Sequence, residues 1–267
     1  MSERAHSGHQ ARKRFGQNFL VDANIIANIV AAIAPKPTDN LIEIGPGQGA
    51  ITEPVLSRCP TLKVVELDRD LIPLLKAKFQ QYPSLQIHQG DALKTDFSQF
   101  YEADRPLRII GNLPYNISTP LLFHLLSYSD KIYDMHFMLQ KEVVDRLAAA
   151  PGDSHYGRLS VMVQYHSQVQ PLFPVPPGAF RPAPKVDSAI VRLLPYSQPP
   201  HPAKNLAKLA HLVNACFQQR RKTIRNTLKH LVNAEQLATL NIDLSLRPEK
   251  LSVADFVQLS NQLTEMT

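Results

Sequence analysis

The stretch Leu41-Ile42-Glu43-Ile44-Gly45-Pro46-Gly47-Gln48-Gly49 is a short apolar run that ends in three alternating glycines. An apolar run of this length, stopped by a turn, reads as a buried strand. The glycines let the backbone come close to a ligand without Cβ interference before a helix opens. Such turns occur in dinucleotide and phosphate sites alike, so the glycines alone do not choose a ligand. The spacing is not G-x-G-x-x-G, no lysine follows as in a P-loop, and Pro46 removes an N–H that a phosphate cradle would use. These features favour a ligand without phosphates, approached at Gly45.

Working outward, the same pattern recurs. KVVEL (63–67) ends at Asp68, LQIHQ (85–89) at Gly90-Asp91, and LRII (107–110) at Gly111-Asn112. Amphipathic stretches such as DLIPLLKAKF (70–79) and PLLFHLL (120–126) read as core-facing helices. Strands alternating with helices predict βα units and a mostly parallel sheet, an α/β fold. Ligands in such folds bind at the carboxyl ends of the strands, where the polar corners lie.

Glu66 lies 21 residues beyond Gly45, at the end of the next predicted strand. A carboxylate there can accept both ribose hydroxyls of an adenosine-containing cofactor. Asp91 follows the third strand and suits either an adenine amino group or a helix N-cap. The corner Asn112-Leu113-Pro114-Tyr115 fits a reaction at an amine conjugated to a purine ring. The lone pair of that amine is delocalised, so the nitrogen must pyramidalise and gain positive charge to attack an electrophilic methyl. The Asn112 side-chain oxygen and the Leu113 carbonyl can accept from its hydrogens and stabilise the charge. Pro114 fixes the turn and Tyr115 offers a flat face to an unstacked base. The same four letters also suit a plain turn.

The 267-residue chain is 44% hydrophobic and 19% charged, which fits a well-cored protein with one large domain and a small companion. No run of 18 apolar residues marks a membrane span, and no apolar run follows the basic N-terminus to make a secretory signal. Cys59 and Cys216 read as reduced thiols of a cytoplasmic protein. The ten histidines form no metal-ligand spacing, so no metal is expected. The net charge of +6 sits at the two ends: residues 1–15 carry four basic groups and one acid, and 203–267 carry nine and five. This is the distribution of a polyanion-binding protein around a near-neutral core, although the N-terminal arm reads equally well as a solvated tail.

Ten of the 22 prolines fall between Pro171 and Pro202. PVPPGAFRPAPK (174–185) is then edge strand or ordered loop, SAIVRLL (188–194) a strand and PYSQPPHPAKN (195–205) a linker. Three segments follow: a basic arm over 1–15, an α/β domain over 16–196 and a helical domain over 203–267. Within the last, CFQQRRKTIRNTLKHL (216–231) predicts a helix with Phe217, Ile224, Leu228 and Leu231 on one stripe. Arg221, Arg225 and Lys229, with Lys222 beside them, would form a flanking row. That row suits an RNA backbone clamp or a solvated face.

RFGQNFL (14–20), EIGPGQGAIT, VELDRDL, GDAL, GNLPYNIST, QKEVVDRL, YGRLSVM, FRPAPKVDSAIVRL and RRKTIRNTLK occur in this order. Together they resemble the ribosomal RNA adenine dimethyltransferases, most of all the bacterial small-subunit enzymes, from about residue 9 to 229. The resemblance implies a class I methyltransferase sheet, Rossmann-like, with a small C-terminal all-helical domain. It implies S-adenosylmethionine as cofactor, held by Asn18, Leu20, Gly45, Glu66, Asp91 and Asn112. Asn112 and Tyr115 would face the target base and Phe180 would supply the second face of its stack. The expected substrate is 16S ribosomal RNA in the immature small subunit, dimethylated at two adjacent adenosines in a hairpin near the 3′ end. The expected enzyme is a cytoplasmic monomer without membrane or DNA partners. A large-subunit RNA methylase shares the glycine loop and the corner, but the YGRLSV and RRKTIRN blocks favour the small subunit. A DNA methyltransferase would need a larger domain to read base sequence in a major groove. A non-catalytic assembly factor would have no need of an intact corner and Glu66.

Overall fold

The computed structural model describes residues 18–229 and 232–266; the basic arm and Leu231 lie outside them. The chain divides into two compact units, one comprising residues up to Lys141 together with Leu172–Arg192, the other Glu142–Pro171 and the chain from Leu193 onward.

The first unit begins with β1 (Phe19–Leu20) and α1 (Ala23–Ile33). Asp22 caps α1, its side chain accepting from the Asn24 and Ile25 N–H groups. Then come β2 (Asn40–Ile44), α2 (Thr52–Leu56), β3 (Lys63–Glu66), α3 (Leu71–Lys78), β4 (Gln86–Gln89), β5 (Leu107–Asn112), α4 (Ser118–Leu126) and β6 (Ile132–Gln140). After α5 (Lys141–Ala148) and α6 (Arg158–His166), the chain adds β7 (Ser167–Val175), β8 (Phe180–Arg181) and β9 (Ser188–Pro195).

Seven strands form one sheet in the order β4-β3-β2-β5-β6-β9-β7, and the pairs β4/β3, β3/β2, β2/β5 and β5/β6 are parallel. The chain winds outward from β2 in one direction and then from β5 in the other, which opens a crevice where the order reverses. All five residues of β2 are buried, as a central parallel strand covered on both faces must be. Pro171 and Pro174 fall in β7 at the sheet edge, the part of a sheet where proline is tolerated. This is the class I methyltransferase arrangement that the sequence implied.

Strand β6 was not legible as one, because Asp134 and His136 interrupt its apolar run. Both are buried. Asp134 accepts from Arg108 Nε (2.8 Å) and Arg192 Nη2 (2.9 Å). Burial alone would raise the Asp134 pKa; its bonds to Arg108 and Arg192 and the charge of Arg108 outweigh that and hold it below the usual range. Burial pushes His136 down to about 4 and keeps it neutral.

The second unit adds α7 (Leu206–Gln218), α8 (Ile224–Leu228), α9 (Ala234–Thr239) and α10 (Val253–Glu265). Helices α6, α7 and α10 pack on one another. The fully buried Tyr156, just before α6, donates from its hydroxyl to the Leu251 carbonyl at 2.8 Å. The helical unit therefore takes in α6 and most of α5, which lie in sequence before the expected boundary near 196–203; the joining contacts are long-range and leave no local signature.

The helix expected over 216–231 is not continuous. Helix α7 stops at Gln218, the Lys222 N–H turns back to the Gln219 carbonyl (2.7 Å), and Thr223 is extended. The loop before α10 supplies acceptors for the restart: Ile224 N–H donates to the Leu246 carbonyl and Arg225 N–H to that of Leu244. Ile224 and Leu228 are fully buried, and Phe217 sits between Tyr156 (6.2 Å) and Phe256 (5.8 Å). Arg221, Lys222, Arg225 and Lys229 are all exposed, but on a turn and a short helix rather than along one helical face.

Candidate active site

The carboxyl ends of β2, β3, β4 and β5 open onto a cavity of about 350 Å³, within the range of small-molecule pockets. Gly45 leaves β2 with φ +66° and Gly49 has φ +82°, both left-handed. A Cβ on Gly49 would also lie 2.6 Å from the Phe79 ring, so only glycine lets this loop close over α3.

The loop is tied to Glu66. Gly47 N–H donates to its Oε2 at 3.2 Å and Asp68 N–H to its Oε1 at 2.8 Å. Glu66 is buried, and that burial raises its pKa despite the two backbone bonds. Each oxygen keeps a further lone pair for a hydroxyl.

Asp91 lines the cavity while its Oδ1 accepts from the Leu93 N–H at 2.9 Å. The turn-capping role and a cavity-facing position thus coexist in one side chain. On the opposite wall, the Asn112 Nδ2 donates to the Asn18 carbonyl at 3.2 Å. This fixes the amide and leaves its oxygen as an acceptor, with no bond to it among the described residues. The Leu113 N–H donates to the Met138 carbonyl on β6 (3.2 Å), and its side chain is buried. Tyr115 is half-buried at the cavity mouth, and its hydroxyl shares a 2.7 Å hydrogen bond with Ser188 Oγ.

The structure therefore gathers Asn18, Leu20, Gly45, Glu66, Asp91 and Asn112 around one cavity, with Leu113 and Tyr115 beside them. It does not bring Phe180 there. Phe180 is fully buried in the core with Leu20, Ile29 and Val175. Its strand alternates, so Phe180 points inward and Arg181 outward, and the expected second face of the stack is absent from this position.

The cavity also includes Glu43, which sequence reasoning passed over as one letter of a strand. Glu43 is buried and accepts from Thr52 Oγ1 at 2.7 Å. Burial pushes its pKa up to about 7, against the Thr52 bond and with the help of the Glu66 charge. A charged residue inside an otherwise apolar buried strand was the available signal.

A loop of left-handed glycines, a buried carboxylate at the next strand and an acceptor-bearing corner at the switch point define an S-adenosylmethionine-dependent class I methyltransferase. The sequence model of the family described as Ribosomal RNA adenine dimethylase matches residues 8–265. A Ribosomal RNA small subunit methyltransferase A from Marinobacter nauticus is 62% identical over 258 residues, covering 97% of this chain and 93% of the relative. One from Pseudomonas aeruginosa is 58% identical over 258 residues, covering 97% and 96%. Among solved structures, a dimethyladenosine transferase from Plasmodium falciparum superposes with a TM-score of 0.77 at 28% identity, over 90% of this chain and 95% of that one. The chain belongs to the ribosomal RNA adenine dimethylase family.

Proposed function

We propose that this protein transfers methyl groups from S-adenosylmethionine to the N6 amines of two adjacent adenosines in a hairpin near the 3′ end of small-subunit (16S) ribosomal RNA. It acts as a cytoplasmic monomer on the immature subunit during ribosome assembly, without a membrane or DNA partner. The observation that carries this reading is the meeting of Asn112 and Tyr115 with Glu66 and Asp91 at one cavity.

The cavity suits the cofactor. Its glycine loop presents backbone without side chains, and its anion is a carboxylate rather than a phosphate cradle. Glu66 takes the ribose hydroxyls, the second oxygen of Asp91 takes the adenine amine, and Asn18, Leu20 and Gly45 enclose the rest. When bound, S-adenosylmethionine supplies a methyl group on a positively charged sulfur. Asn112 Oδ1 and the Leu113 carbonyl accept from the target amine as it pyramidalises, and Tyr115 holds the base. The target amine would supply the lone pair and give up its proton to solvent, and the sulfur of the bound cofactor would be the leaving group.

A hydrogen bond to a charged group contributes roughly 1.5–3 kcal/mol. Glu66→Ala therefore weakens cofactor binding about 10- to 100-fold while RNA affinity hardly changes. Calorimetry with unaltered cofactor affinity would remove Glu66 from the site.

Arg221, Lys222, Arg225 and Lys229 supply phosphate contacts. Each such contact contributes about 0.7–0.9 to the log–log salt slope. Arg221→Ala combined with Arg225→Ala lowers RNA affinity and flattens that slope by roughly one to two units, with cofactor binding intact. Unchanged affinity and slope would make these residues a solvated face. The choice of subunit is tested by offering unmodified small- and large-subunit RNA in competition: label enters the small-subunit RNA, and preferential labelling of the large-subunit RNA would overturn the assignment.

A further inference from the structure

We propose that Ser188 is a positioning residue for methyl transfer, its hydroxyl anchoring the Tyr115 ring at the place where it receives the target adenine. The proposal rests on the reading of Tyr115 as the stacking face, and it assigns a task to a residue 73 positions away that lines no part of the cavity.

Ser188 is fully buried at the start of β9. A buried hydroxyl requires a partner, and among the described residues that partner is the Tyr115 hydroxyl at 2.7 Å. Ser188 is itself on a rigid post. The preceding Asp187 carbonyl accepts from the Lys141 N–H at 2.9 Å, fixing the chain where β9 begins. Four residues on, Arg192 donates to the buried Asp134, which also binds Arg108 of β5. The strand that ends at Asn112 and the strand that carries Ser188 are thus pinned to the same carboxylate.

Tyr115 is held at two points. Its main-chain carbonyl accepts from Ser118 Oγ at 3.1 Å, and its ring is tethered at the far end by Ser188. A ring fixed only at the backbone can swing away about its Cα–Cβ bond; with its hydroxyl also tethered it can still spin about its own long axis but cannot swing out of place without breaking a hydrogen bond. Half-burial raises the phenol pKa above its ordinary value, so the hydroxyl stays protonated and the tether persists at neutral pH. A stacking face set before the base arrives spares the ordering cost at the moment of reaction.

The test is a double-variant cycle with Tyr115→Phe and Ser188→Ala, read on full-length protein with unmodified small-subunit RNA and isotope-labelled cofactor. A single neutral hydrogen bond corresponds to about 2- to 10-fold in rate. Each single variant is expected to lose that much in single-turnover kcat, the double variant no more than either, and cofactor affinity and cofactor KM should not move. Losses that multiply in the double variant would overturn the proposal, as would a Ser188→Ala defect confined to thermal stability. If Ser188→Ala fails to fold, Tyr115→Phe alone decides: a rate equal to the parent overturns the tether and a 2- to 10-fold loss supports it. The reading of Tyr115 as the stacking face is tested separately by Tyr115→Ala, so the two can fail independently.

Discussion

Asn112→Ala is expected to bind small-subunit RNA nearly as well as the parent and to lose methyl transfer by a factor on the order of 10²–10³. The reason lies in when the interaction forms. In the ground state the target amine is planar and carries little charge, so an acceptor beside it contributes little. As the nitrogen pyramidalises and gains positive charge, the Asn112 oxygen stabilises it, and a preformed acceptor in a half-buried site does so without reorganising. The amide is already oriented by its bond to the Asn18 carbonyl at 3.2 Å. Asn112 also borders the cofactor side of the cavity, so cofactor affinity must be measured in parallel. Single-turnover rates at saturating cofactor isolate the chemical step, and a rate within about threefold of the parent would assign the transition-state role elsewhere.

Tyr115→Ala carries the second large effect. Base–aromatic stacking contributes about 1–3 kcal/mol, so removing the ring lowers kcat/KM for RNA roughly 5- to 150-fold. The cofactor pocket is otherwise left intact, and cofactor affinity should stay at the parent value. Tyr115→Phe retains the face and so loses only the roughly 2- to 10-fold that the Ser188 tether contributes. A Phe variant as inactive as the Ala variant would transfer the role from the ring to the hydroxyl.

That Gly45, Glu66, Asp91 and Asn112 line one cavity was legible in the sequence because they sit where strands end, and strand ends are marked by local letters. Each follows a short apolar run, and parallel pairing of those runs brings the four together. What was not legible depended on contacts distant in sequence. Glu43 looks like a strand residue until burial and its Thr52 partner are known. Phe180 was expected at the stack only through the family resemblance; pairing of Leu20 with Phe180 across β1 and β8 turns it into the core instead. Strand β6 was hidden by Asp134 and His136; the buried Asp134 charge is compensated by Arg108 and Arg192 from other strands, and His136 is buried neutral. The basic helix failed for a related reason. Its periodicity from Phe217 to Leu228 was real at both ends, but carbonyls at Leu244 and Leu246 compete for the N–H groups of Ile224 and Arg225 and restart the helix.

Small subunits lacking the modification, incubated with the protein and S-adenosylmethionine labelled in its methyl group, provide the most direct measurement, with the RNA then digested and its nucleosides separated by mass. The predicted product is N6,N6-dimethyladenosine at two neighbouring positions near the 3′ end, formed by the parent and not by Asn112→Ala. Label on another base, on the ribose, or in large-subunit RNA alone would contradict it.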